Sequence, residues 1–230
     1  MNAYELLRRP VLFLDFETTG LNPAADRVIE VPAIRVDENG RHELATVVRP
    51  DPLPVLGEQI TRLTGITQEM VEDGEPAARV FAELWVMTIG AVIVGHNVPF
   101  DLAFLEAEFR RQDLLLSIER WDGDWICTRA LATFLGVGMP STNGRGEPYT
   151  SYKLCHICEA LGIKLEGAHR ALNDLEATEQ VLLRLYPRAL AEHRPVLNAM
   201  VRPRWVQEQI DTGLRPPEYE PPRAVVYLVA

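Results

Sequence analysis

Apolar positions along the chain follow two periods, one of strands and one of helices. Val11 to Glu17 opens as an unbroken apolar run and predicts a buried strand that ends at Thr18-Thr19-Gly20 and the turn Leu21-Asn22-Pro23. Arg27 to Val36 and Glu43 to Val48 alternate as two further strands, with Asn39-Gly40 as the hairpin turn between them. Pro32 has no N–H to give a ladder, so it predicts a bulge or a locally unpaired position. Ala91 to Val94 is again continuous and apolar, a buried strand ending at Gly95, and a short strand around Ile126 leads into a helix through Phe134. Helical signals lie between these strands. Thr61 to Thr67 reads as a short turn closed by Gly65, and Glu75-Pro76 opens a helix to about Thr88. Pro99 starts another, with Phe100, Phe104, Leu105 and Phe109 on one face. Helices over Tyr152–Leu161 and from His169 to about Leu185 follow a segment, 136–151, whose Gly, Pro and Ser content predicts a loop.

Strands first, then helices mixed with strands, predict an α/β layer fold around a mixed sheet. Beyond Pro187 the pattern changes. Pro195 and Pro203 punctuate short helical pieces, Pro216, Pro217, Pro221 and Pro222 stiffen an extended stretch, and Ala224 to Ala230 has the composition of a strand. The chain therefore divides into a domain over 1–186 and an extension over 187–230, with no internal repeat. Its 230 residues, 47% hydrophobic and 24% charged, supply a sizeable core and exclude disorder of the whole chain.

The net charge of −10 argues against a protein that holds duplexes by broad phosphate neutralisation. It leaves room for one that grips a few nucleotides with the help of metal ions or of a partner protein. Cys127, Cys155 and Cys158 are too few and too unevenly spaced for a disulfide framework, which favours a reducing compartment. Asp15 interrupts the apolar run after Arg8-Arg9, and no segment reaches the length of a membrane span, so the chain reads as cytoplasmic.

Chemistry gathers at a few acids. Asp15 and Glu17 stand two apart at a strand end, so both project from one face, and acids on an apolar strand cost burial energy unless something compensates them. Asp101 lies at the start of a helix, where the dipole alone favours an acid. Asp174 follows His169 by five residues near another helix start. Each alone is as well explained by an exposed strand end or first turn.

Taken together, their surrounding words are specific. Phe13-Leu14-Asp15-Phe16-Glu17-Thr18-Thr19-Gly20-Leu21, Gly95-His96-Asn97-Val98-Pro99-Phe100-Asp101 and His169-Arg170-Ala171-Leu172-Asn173-Asp174 resemble the DnaQ-like (DEDDh) 3′–5′ exonuclease family, in its order. The resemblance covers about residues 10–186 and includes Leu63-Thr64-Gly65-Ile66-Thr67. It implies a ribonuclease-H-like fold, a mixed five-stranded sheet flanked by helices with a Pro-rich C-terminal extension, in which four carboxylates converge. Two unit charges ~4 Å apart repel by roughly 4 kcal/mol at an effective dielectric of 20, so the cluster calls for cations. Oxygen donors suit two divalent ions, Mg²⁺ or Mn²⁺.

The family's two-metal mechanism places one ion on Asp15, Glu17 and Asp174 and a second on Asp15 and, through water, Asp101. It makes His169 the general base and releases nucleoside 5′-monophosphates. Thr18, Thr19 and Gly20 resemble its loop that presents amides to the terminal nucleotide, and His96, Asn97 and Phe100 its wall for the end sugar and base. Leu21 and Leu63 are placed to wedge bases apart. The substrate so implied is the 3′ end of single-stranded DNA, as for the proofreading subunit of a bacterial replicative polymerase, with a polymerase as partner. Trimming of RNA 3′ ends in the same family, and a catalytically silent scaffold, are the alternatives; intact acids and histidine speak against the scaffold. Cys155-His156-Ile157-Cys158 lacks the second pair of a zinc site and reads as helix, and Trp121 and Trp125 read as loop anchors. The 136–151 segment with Arg145 is placed to form a lip beside the substrate, and the Pro-rich tail to dock a partner.

Overall fold

A computed structural model describes residues 1–114, 124–165 and 171–191. His169, Trp121 and the extension beyond Ala191, with its expected terminal strand, lie outside the described residues. Strand β1 (Val11–Leu14) is the centre of the sheet and is wholly buried. It pairs antiparallel with β3 (Val28–Asp37) and parallel with β6 (Val92–Gly95), and β3 continues through the turn into β4 (Gly40–Arg49). β7 (Trp125–Cys127) adds to β6 in parallel. The order β4-β3-β1-β6-β7 is the expected mixed five-stranded sheet. Two two-residue strands extend it: β2 (Glu17–Thr18) against β3, and β5 (Glu75–Pro76) against β4.

Alternation along β1 explains why its sequence is apolar throughout. Val11 and Phe13 enter a core with Ile34, Leu131, Ile157 and Val181, while Leu12 and Leu14 enter another with Phe81, Leu84, Phe104 and Phe109. A strand covered on both faces has no polar side to show. The first core is closed by α1 (Ala3–Leu7), α6 (Thr128–Leu135), α7 (Leu154–Leu161) and α8 (Ala171–Ala191); the second by α4 (Ala77–Thr88) and α5 (Pro99–Arg111). At ~1.5–3 kcal/mol for each fully buried large side chain, these two layers hold β1 in place. A small third cluster of Ile29, Ile66 and Val71 seats α2 (Glu58–Thr64) and α3 (Gln68–Glu72). No described helix is long and apolar enough to cross a membrane.

Several expectations are corrected. The strand expected over Val11–Glu17 is broken at Asp15-Phe16, which separate β1 from β2. The helix expected to open at Glu75-Pro76 runs over Ala77–Thr88 with Pro76 as its N-cap, while Glu75 and Pro76 themselves form β5. The 136–151 segment is not a loop but a hairpin of β8 (Met139–Thr142) and β9 (Pro148–Ser151). Its prolines are tolerated because a two-stranded sheet consists only of edges. Its turn is held by Asn143, whose Oδ1 accepts from the N–H groups of Arg145 and Glu147 at 2.9 and 3.0 Å. Helix α8 passes through Pro187 to Ala191, beyond its expected end near Leu185, because Leu185, Tyr186 and Ala189 are all packed in the core. Helix α1 is additional to the expected elements and is capped by the reciprocal capping box of Asn2 and Glu5.

Candidate active site

The break in the first strand builds the site. On this edge β3 pairs Ala33 with Leu14 and Glu30 with Glu17, so Val31 and Pro32 fall opposite the gap. Pro32 keeps its register opposite Ala45 in β4, so it marks a locally unpaired position and not a bulge against β4. The chain at the gap finds another partner: Phe16 N–H donates to Asp101 Oδ1 at 2.9 Å. Asp101 is delivered by the first turn of α5, which Pro99 opens, and is only 2% exposed, unlike a solvated first-turn acid.

Burial, and then the neighbouring Asp15, raise the Asp101 carboxyl well above its ordinary value, against the pull of the Phe16 N–H. Asp15 is raised from 3.8 to about 7, first by burial and then by the charges of Glu17, Asp174 and Glu30. Asp174 comes from the first turn of α8. The four carboxylates singled out in the sequence thus act on one another across one field. Glu30, raised by its burial, joins them as a fifth that sequence reasoning missed. Its signal was available, an acid inside the apolar run Val28 to Ala33 and opposite Glu17 in the ladder. Among the described residues no three His, Cys, Asp or Glu side chains already form a cage for an ion. The donor set nevertheless fits hard divalent cations in its chemistry, all oxygen and burdened by like charge.

After β2 the chain makes a tight turn tied to itself. Thr18, which is buried, donates from Oγ1 to Gly20 O at 2.6 Å, and Thr19 N–H donates to Arg27 O at 2.9 Å. Asp26 closes the turn by accepting from Thr19 Oγ1 at 3.2 Å and Asn22 N–H at 2.8 Å. A Cβ on Gly20 would stand 2.5 Å from an Asp26 oxygen, so any larger residue there would displace the carboxylate that closes the turn. Leu21 is left 75% exposed and Leu63, on α2, 66% exposed, apolar side chains the core does not claim.

The β6–α5 turn forms another wall. Asn97 adopts a left-handed φ of 74°, which asparagine tolerates better than most residues, and its Oδ1 accepts from Arg129 at 3.5 Å. His96 has both ring nitrogens occupied, at 3.1 Å from Thr128 Oγ1 and 3.0 Å from Tyr152 O, so it pins this turn to the segment after β9. Burial chiefly pushes its pKa down to about 4. Phe100 packs on Phe104 with ring centroids 4.9 Å apart. An ion group of buried Arg27 and Glu108 with half-buried Arg111, also unforeseen, lies behind the Thr18–Asp26 turn. Cys155 is exposed and Cys158 buried on α7, both free.

Residues 12–182 match the Exonuclease (RNase_T) family. The PolC-type DNA polymerase III of Thermotoga maritima is 34% identical over 173 residues, 74% of this chain and 11% of that protein. The 3′–5′ exonuclease DinG of Bacillus subtilis is 30% identical over 193 residues, 82% of this chain and 19% of that protein. E. coli Exonuclease I, solved in complex with a dT13 oligonucleotide, superposes with a TM-score of 0.64 at 25% identity, over 80% of this chain and 43% of that one. The chain therefore spans less than a fifth of the two relatives and under half of the solved structure. The match runs from the broken first strand through α5 into α8, the three elements that bring the carboxylates together, and the chain belongs to the exonuclease family.

Proposed function

We propose that this chain is a metal-dependent 3′–5′ exonuclease that shortens single-stranded DNA and releases nucleoside 5′-monophosphates. The observation that carries the reading is the shared field of Asp15, Glu17, Asp101 and Asp174 around the strand break, with Asp15 raised to about 7. Such a cluster is unfavourable for folding and is understood if it holds positive ions. Asp15, Glu17 and Asp174 would hold one Mg²⁺ or Mn²⁺, and Asp15 with Asp101 a second. Bound there, the ions supply an activated water and stabilise the departing 3′ oxygen. His169, five residues before Asp174, serves as general base, its ordinary pKa near 6.5 being suited to neutral pH.

The chain's own residues grip the strand end. The Thr18-Thr19-Gly20 turn grips the terminal nucleotide through backbone amides other than that of Thr19, whose N–H is engaged with Arg27 O and holds the turn, and Leu21 and Leu63 separate its base from the next. Asn97 and Phe100 wall the end sugar and base; His96, with both nitrogens engaged, serves that wall through its ring and by holding the turn. DNA is favoured because one of the relatives is a DNA polymerase and the solved structure bound a deoxyoligonucleotide. Association with a polymerase, in proofreading or repair, suits an acidic chain that must borrow affinity, and free cysteines suit the cytoplasm.

The test is digestion of 5′-labelled single-stranded DNA and RNA of one sequence with Mg²⁺ or Mn²⁺, beside Asp15→Ala and chelator controls. Stepwise loss from the 3′ end of DNA, absent in both controls, is expected. Preference for RNA would move the reading to an RNA trimmer, and no shortening of either strand would overturn it.

A further inference from the structure

Helix α5 touches the segment after β1 at three points. At its first turn, Asp101 takes the Phe16 N–H at 2.9 Å. Seven residues later, ~10.5 Å along the axis at 1.5 Å per residue, Glu108 faces the same side. Glu108 is fully buried and accepts from Arg27 Nε at 2.9 Å, Arg27 Nη2 at 3.2 Å and Val28 N–H at 3.4 Å. One turn further, Arg111 donates to Glu108 at 2.9 Å and to Pro23 O at 2.6 Å. Arg27 Nη1 also donates to Asp51 O at 2.7 Å, which brings in the segment after β4. The stretch from Phe16 to Val28 is thus fixed to one rigid rod at its beginning, its middle and its end.

Buried ion groups of this kind add little net stability against an apolar replacement, so a wish for stability does not account for them. A planar guanidinium on a carboxylate does fix direction, because two parallel bonds tolerate little rotation. What is fixed here is the Thr18–Asp26 turn relative to Asp101.

We propose that Glu108 and Arg111 are positioning residues: with Arg27 they lock the Thr18–Asp26 turn to the helix that carries Asp101, and so set the grip on the terminal nucleotide from the far end of that helix. The identity of what is gripped rests on the exonuclease reading above; the brace itself does not. Arg111 is the decisive position, since its half-buried side chain can be removed with less risk to folding than buried Glu108.

The experiment uses the full chain as wild type, Arg111→Ala, Arg111→Lys and Glu108→Gln. Amide hydrogen exchange of residues 19–26 and the KM and kcat on 5′-labelled oligothymidylate are measured together. In Arg111→Ala, exchange of the turn accelerates, and KM rises about tenfold, equivalent to ~1.4 kcal/mol, while kcat stays within about twofold. Arg111→Lys, which reaches one acceptor but not both, recovers part of each effect. Unchanged exchange in both Arg111→Ala and Glu108→Gln overturns the brace. Faster exchange with unchanged KM overturns its role in the grip. If the wild type shortens no strand, the exonuclease reading fails while the exchange data still decide the brace.

Discussion

Replacing Asp15 by asparagine should make the metal-free protein more stable while abolishing its activity. Asp15 is raised from 3.8 to about 7 by burial and by Glu17, Asp174 and Glu30. A carboxyl whose folded pKa is raised holds its proton more tightly when folded, so stability is full below 3.8 and is lost as pH rises toward 7. At 1.36 kcal/mol per pH unit, the loss reaches about 4 kcal/mol at pH 8 and about 2 kcal/mol at pH 5. Asparagine has the shape of the neutral acid and escapes this loss.

The wild type alone cannot show the effect, because His96 acts in the opposite sense. Its pKa, pushed down to about 4, removes stability as pH falls below its ordinary 6.5. The difference between Asp15→Asn and wild type cancels that contribution. Urea unfolding in a chelator should give Asp15→Asn an advantage of about 4 kcal/mol at pH 8, shrinking to about 2 kcal/mol at pH 5. Saturating Mg²⁺ should stabilise the wild type and leave the variant nearly unmoved, closing the gap. A variant no more stable than wild type at pH 8 in chelator would refute the reasoning, since the carboxylate would then carry no burden for a cation to relieve.

Other outcomes test single parts of the site. His169→Ala should retain metal binding, read by the Mg²⁺-dependent shift in unfolding, and lose about 10²–10⁴ in kcat; near-normal turnover would end its assignment as general base. His96→Ala should leave the Tyr152 carbonyl without its partner, while the Thr128 hydroxyl keeps Gly95 O; a cost of ~1–3 kcal/mol in urea unfolding and exposure of the β8–β9 hairpin to limited proteolysis are expected. Gly95→Ala would place a Cβ 2.9 Å from Leu14 O, in the backbone that leads to Asp15. A loss of ~1–3 kcal/mol together with reduced activity is expected, and a variant with wild-type unfolding would show that the turn has room to shift.

The strands and long helices were legible because each carries a period or an unbroken apolar run. Val11–Leu14 and Val92–Gly95 announce burial on both faces, and Pro99 and Gly65 mark a helix start and end by backbone chemistry alone. The carboxylates and their mutual repulsion were legible through resemblance, but the burial of Asp101 and the presence of Glu30 beside them were not. The break at Asp15-Phe16 left no local mark, because its cause is Asp101, 85 residues away from Phe16. Composition misled at 136–151, where Gly and Pro look the same in a loop as in an edge hairpin. Arg27, Glu108 and Arg111 escaped notice for a similar reason, since charged residues at helix and strand ends are ordinarily solvated and only the tertiary contact removes them from water. Pro187 looked like an end because its cost is local, while the packing of Tyr186 and Ala189 that outweighs it is not.

That last helix is also a buffer. Asp174 stands near one end of α8 and Ala191 at the other, 17 positions and ~26 Å apart at 1.5 Å per residue. Pro187 takes one rung from the ladder, the bond its missing N–H would give to the carbonyl of Leu183, so bending is easiest four residues from the far end. A pull on the chain beyond Ala191 would be spent mostly in that weak place. The turns before it, with Leu175, Val181 and Leu182 in the core, would keep Asp174 in place.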